Sequence, residues 1–233
     1  MKIYTIKLYF FGSQQQVVPF NYRDKLLSFL FNDILGQNSK YHDSISLYST
    51  SPLFNSKTVE NGLLFDKGAI WLLRTPSIDV FKDFYLKAKN AITKELGYGL
   101  VLKTVEYSVK EFKNISELTV GTSPIYLGQN ENSKERDHIT YKHGNQLCSE
   151  HLKRTLITKA CLLGYNLNLK NFNIEFDLTQ PIETKPLKIG DNTNIVTQGK
   201  VKITGDSNVI GLCYGLGFGI STGCGFGFVF NIK

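Results

Sequence analysis

Residues 215–227 read G-L-G-F-G-I-S-T-G-C-G-F-G, so that Gly217-Phe218-Gly219 and Gly225-Phe226-Gly227 stand symmetrically about five intervening residues. Without a Cβ, glycine reaches positive φ and lets backbone N–H groups come close to a phosphate or to another segment of chain. Two uses compete for such a run: a tight packing turn and an anion cradle. Nucleotide-binding loops are disfavoured by position, because they follow a domain's first strand, and a P-loop continues into G-K-[ST]. Here the glycines stand near the end of 233 residues and no such continuation follows. What precedes them decides which fold they complete.

The segment that follows the glycines alternates Phe226, Phe228, Phe230 and Ile232, which predicts a last strand with an aromatic core face rather than a base-stacking platform. Before them, Val209, Ile210, Cys213 and Tyr214 predict a short apolar helix. Strands are expected near 167–178 and 186–204, with a turn at Gly190-Asp191-Asn192. A helix over about 145–163 turns Cys148, Leu152, Leu156, Ala160 and Leu163 inward and ends at Gly164. A strand at 118–127 and a polar excursion at 130–144 open this half.

The first half is more regular. Tyr4, Ile6, Leu8 and Phe10 mark a strand over 2–10, and Leu26, Leu27, Leu30, Phe31, Ile34 and Leu35 mark a helix over 23–36 that Gly36 ends. Strands at 44–54 and 59–74 follow, and then a helix capped by Ser77 with Val80, Phe81, Phe84, Tyr85, Ala88 and Ile92 inward. A strand at 99–109 completes β-α-β-β-α-β, the ferredoxin-like unit. The fold class is therefore α+β, with two tandem ferredoxin-like (RRM-like) domains, 1–114 and 115–233, the second irregular.

A G-h-G, five residues, G-h-G pattern that closes two such units resembles the RAMP superfamily of CRISPR proteins. Within it the chain is similar to the endoribonuclease that processes the CRISPR repeat transcript (pre-crRNA). The same resemblance takes in Tyr41-His42-Asp43 after the first helix, Ser51-Pro52-Leu53, and Ser123-Pro124-Ile125 at the opening of the second unit. It implies metal-independent RNA cleavage without a cofactor, in which a 2′-OH attacks the adjacent phosphate to leave a 2′,3′-cyclic phosphate and a 5′-OH. Histidine suits such proton transfers because its ordinary pKa is about 6.5. The resemblance gives the catalytic role to His42, in the polar connection from Gln37 to Ser44. Some members add a tyrosine and a lysine. Tyr22 and Tyr41 are both candidates for the first. No lysine lies between His42 and Ser51, so charge stabilisation falls to Lys40, Arg23 or the glycine loop.

The other histidines carry blander expectations: His138 and His143 are solvent-facing or graze RNA, and His151 packs on its helix. RNA contacts are expected from Lys153 and Arg154 on the second unit's helix, from Lys200 and Lys202 on a strand, and from Gly217, Gly219, Gly225 and Gly227. A net charge of +7 fits an anionic partner. Cys148, Cys161, Cys213 and Cys224 show no C-x-x-C pair, which predicts structural thiols in a reducing compartment and no metal site. No apolar run reaches membrane-spanning length, and a cytoplasmic protein is expected. A non-catalytic RAMP subunit that only holds guide RNA would keep the glycines without requiring His42. Assembly with other effector subunits, or as a homodimer, is left open.

Overall fold

The structure is a computed structural model that describes residues 1–12, 17–129, 137–167 and 172–230. Strand β1 (Lys2–Phe11) buries Ile6, Leu8 and Phe10 as its alternation predicts. After the short β2 (Val17–Val18), α1 (Arg23–Ser28) runs into a π-helical turn over Phe29–Ile34. That wider turn shifts the apolar stripe. Leu26, Phe29, Leu30, Ile34 and Leu35 are buried, whereas Leu27 and Phe31 are only partly covered. Gly36 ends the element at φ +86°.

The long strands expected at 44–54 and 59–74 are broken into β3 (Ser49–Thr50), β4 (Lys57–Val59), β5 (Gly62–Leu64) and β6 (Ala69–Thr75). Gly68 explains one break: at φ +80° its backbone lies so close to β1 that a Cβ would stand 2.5 Å from the Phe10 carbonyl oxygen. Helix α2 (Ile78–Asn90) begins at Ser77, whose Oγ accepts the Val80 N–H at 3.3 Å, and it buries Val80, Phe81, Phe84 and Ala88. Strands β7 (Glu95–Gly97) and β8 (Leu100–Glu111) follow. The antiparallel sheet runs β3-β6-β1-β8-β7. Its first four members have the ferredoxin-like order, with both helices sharing one core with the sheet.

The second unit contains β9 (Glu117–Val120), α3 (Asn145–Leu162), β10 (Asn173–Phe176), β11 (Glu183–Ile189), β12 (Asn192–Gln198), β13 (Val201–Thr204) and α4 (Ser207–Leu216). Its sheet runs β10-β13-β9, and β11 and β12 form a hairpin inserted between β10 and β13. The hairpin turns at Gly190 and Asp191, and the Gly190 N–H donates to Asp24 on α1 at 2.7 Å. Residues 228–230 take the fourth strand's place beside 121–123, through Ser123 N–H to Phe228 O and Phe230 N–H to Gly121 O. The expected alternation fails there, because Phe226, Phe228 and Val229 are all buried. Phe54 and Arg74 of the first unit cover Phe228, while Val229 joins the second core. Ile232 lies outside the described residues.

The second core also takes Ile3 of β1 and Phe112 just past β8, so the two units share a buried boundary. Gly211 and Gly215, one turn apart on α4, let that helix settle on Met1, Ile3 and Pro76: a Cβ at either glycine would meet them at 3.0–3.1 Å.

Candidate active site

His42 is placed by a tight turn. The Ser39 N–H donates to Gly36 O at 3.1 Å, the His42 N–H donates to Ser39 O at 2.9 Å, and Asp43 reverses the chain at φ 55°. The imidazole stands edge-on to Phe31, with ring centroids 4.8 Å apart, and its Nδ1 lies 2.8 Å from Asp43 Oδ2. At 48% exposure the ring is held yet open to solvent. It faces a cavity of about 540 Å³.

The glycine loop supplies a second wall, and its glycines serve the loop itself. The Phe218 N–H donates to Gly227 O at 2.9 Å, so the two G-h-G motifs pair with each other. Gly217, Gly219, Gly225 and Gly227 lie between φ +58° and +85°. A Cβ at Gly219 would collide with Tyr126 O, one at Gly227 with Phe218 O, and one at Gly217 would stand 2.8 Å from Gly227 O. All four are buried. The four glycines close a packed turn. Its outer arc, Ile220, Ser221, Gly223 and Cys224, lines the cavity.

Side chains from the first unit fasten this loop. Ser49 Oγ donates to Gly215 O at 3.0 Å, Thr50 Oγ1 to Gly223 O at 3.0 Å, and Arg23 Nη1 to Gly225 O at 2.8 Å. In return, Thr222 Oγ1 donates to Tyr48 O at 2.9 Å. Arg23, expected to stabilise charge or bind RNA, is a loop anchor; its guanidinium also lies 5.6 Å from the Phe226 ring centre.

The third wall is α3, through Arg154, Thr155, Thr158 and Lys159. The fold thus brings Arg154 into the same cavity as His42. Lys159 was not foreseen. It is only 4% exposed, and its Nζ donates to Gly219 O and Thr222 Oγ1, each at 3.0 Å. Burial pushes its pKa down to about 7. The signal was present in its spacing, since Lys159 stands three residues after Leu156 on the buried stripe of α3.

The remaining candidates lie elsewhere. Tyr22 is in the core and away from the cavity lining, its hydroxyl accepting the Leu53 N–H at 3.1 Å, and burial raises its pKa. Tyr41 does line the cavity. Its ring packs edge-on to Phe84 at 4.7 Å. Burial first, and a hydrogen bond donated to Asp83 second, raise its pKa. Lys40 is exposed beyond the Tyr41 ring, lining a separate groove with Asp83 and Lys87. Lys153 does not reach the cavity lining, Lys200 lines another shallow groove, and Lys202 pairs with Glu117 at 3.1 Å. His138 is half-buried beside Tyr126 rather than solvent-facing. The Nδ1 of exposed His143 accepts the Thr140 N–H, capping its own turn, and His151 is half-buried on α3. Cys148 and Cys213 are buried as expected, whereas Cys161 is exposed and Cys224 lines the cavity.

The family model described as CRISPR associated protein Cas6, C-terminal, matches residues 107–230, more than half of the chain. This chain belongs to the Cas6 family. The matched Cas6 region contains α3 and the glycine loop, hence Arg154 and Lys159; His42 lies outside it. Among solved structures, one described as CRISPR associated protein Cas6 superposes with a TM-score of 0.79 at 20% identity, covering 99% of this chain and all of its own. A RAMP protein described as binding different RNA substrates gives 0.78 at 18% identity, over 100% of both chains. A Cas6-related protein from Pyrococcus furiosus gives 0.76 at 17% identity, over 99% of each. At these identities the likeness is one of fold, and it matches the tandem ferredoxin-like architecture of this Cas6 chain. No curated protein matches the sequence. Among the described residues no helix is long and apolar enough to cross a membrane.

Proposed function

We propose that this Cas6 chain is an endoribonuclease that cuts CRISPR repeat RNA in the cavity shared by His42, Arg154 and the glycine loop. The observation that carries this reading is His42 itself: of the four histidines it alone lines that cavity, with Asp43 on its Nδ1. With Nδ1–H donating to the Asp43 carboxylate, Nε2 keeps its lone pair and can accept a proton. The 2′-OH gives up that proton as its oxygen bonds to phosphorus; the P–O5′ bond breaks, and the leaving oxygen is protonated. A 2′,3′-cyclic phosphate and a 5′-OH remain. No step calls for a metal or a cofactor.

Arg154, exposed at the rim, suits a phosphate contact, and the net charge of +7 favours an RNA partner generally. On this reading residues 1–114 contribute the histidine, and residues 115–233 contribute α3 and the loop. The test is incubation of the chain with repeat RNA in excess EDTA, followed by mass analysis of the fragments. Cutting should persist, with one product ending in a cyclic phosphate. Cutting that stops in EDTA and returns with magnesium, on an RNA that stays folded, would refute the mechanism. Binding without any cutting would assign the chain to guide-RNA holding instead.

A further inference from the structure

We infer that Lys159 is a catalytic residue whose ammonium meets the RNA phosphate inside this cavity, a role that rests on the RNA-cutting reading above. Its surroundings lack a counter-charge. Both hydrogen-bond partners, Gly219 O and Thr222 Oγ1, are neutral oxygens, and no carboxylate among the described residues pairs with it. Two of three N–H donors are engaged, which leaves one outside these bonds. The side chain is 4% exposed and lines the cavity that holds His42 and Arg154.

Other charged or titratable groups near it do not neutralise it. Cys213 on α4 lies within electrostatic reach, but burial, the larger effect on both groups, drives the thiol's pKa up and disfavours the thiolate that could pair with the lysine. Across the cavity stand His42 and Asp43, and Asp43 is 90% exposed and engaged with the imidazole. Arg154 on α3 adds a like charge. A buried cation in such company is costly as an ammonium, which is why its pKa falls to about 7.

A phosphodiester entering the cavity supplies the missing charge. It raises the proton affinity of the amine, and the resulting ammonium faces the non-bridging oxygens, where negative charge builds in the phosphorane. Charge of this kind, pre-placed in a water-poor site, is worth far more than in solvent. Arg154 lies at the mouth and Lys159 in depth, so the first gathers the strand and the second acts on the reacting phosphate.

The test compares K159M with T50V, which removes a different fastener of the glycine loop, at Gly223 O, and leaves the ammonium and both of its partners in place. Single-turnover cleavage of bound repeat RNA should fall about 10²-fold or more in K159M, with affinity changed about threefold at most, and T50V should keep most of the rate. Equal losses in both variants would make Lys159 only a fastener of the loop, and an unimpaired K159M would also overturn the inference. Should K159M fail to fold, the wild-type chain decides. With lysine labelled at 13Cε, the midpoint of Lys159 should rise by about one pH unit or more when repeat RNA carrying a 2′-deoxy residue at the cut is added. An unmoved midpoint overturns the inference. A raised midpoint in a chain that never cuts would keep the phosphate contact and retire only the endoribonuclease reading.

Discussion

His42→Ala should slow cleavage of bound repeat RNA by about 10²–10⁴-fold, the usual loss when a positioned proton acceptor is removed. Affinity should stay within about twofold, because many phosphate and shape contacts hold the RNA and one half-exposed imidazole adds little to them. The split between rate and affinity is what distinguishes this histidine from a binding residue. Folding should be intact, since the ring is 48% exposed and its main packing partner is Phe31. Asp43→Asn should give a milder loss of rate, because it leaves the ring in place and alters only the partner that sets its tautomer. Single-turnover kinetics on saturated complex measure both effects. A His42→Ala variant that cuts at the wild-type rate would place the base elsewhere. Of the two tyrosine candidates only Tyr41 lines the cavity.

Gly227→Val should cost stability rather than RNA contacts. Gly227 sits at φ +58°, a conformation that strains any branched side chain, and its new Cβ would collide with the Phe218 carbonyl. The loop must then open at the paired G-h-G motifs, where the Phe218 N–H donates to Gly227 O. Strain and lost packing together are worth roughly 3 kcal/mol or more. For a chain of this size that lowers Tm by about 6–12 °C. Gly225→Ala should be gentler in steric terms, because its Cβ would meet the end of the Arg23 side chain at 2.9 Å, which can shift. Thermal unfolding of the two variants checks the order. Wild-type stability with lost RNA affinity in Gly227→Val would show that the glycines face the nucleic acid after all.

These two positions show how legibility divides. The glycine pattern was plain in the sequence, yet its purpose depends on what lies against each Cα, and that is a tertiary fact. Elements defined by local chemistry were readable: α2 from Ser77 and its apolar spacing, α3 up to Gly164, and the β11–β12 turn at Gly190. Elements set by neighbours were not. The π-helical turn at Phe29–Ile34 moved Phe29 inward and Leu27 outward against a 3.6-residue pattern. The 226–230 segment lost its two-residue alternation because both its sides are covered. His42 was expected from the resemblance and Arg154 from its place off the stripe of α3, and the fold brings the two to one cavity. Lys159 stands beside that stripe, and only the glycine loop packed against it shows that its ammonium is buried. Tyr22 and Tyr41 stood level in the sequence, and only the core around Tyr22 shows that its hydroxyl is already committed to Leu53.

The central claim is that the RNA's own 2′-hydroxyl is the nucleophile in the cavity of His42. The most direct measurement replaces that one hydroxyl by hydrogen at the nucleotide upstream of the cut and follows binding and cleavage by the wild-type chain. Affinity should match the unmodified repeat, and cleavage should fall below detection, because the attacking oxygen is gone while the phosphate contacts remain. Continued cutting at the same bond would show that water or another group attacks, and would contradict the role assigned to His42.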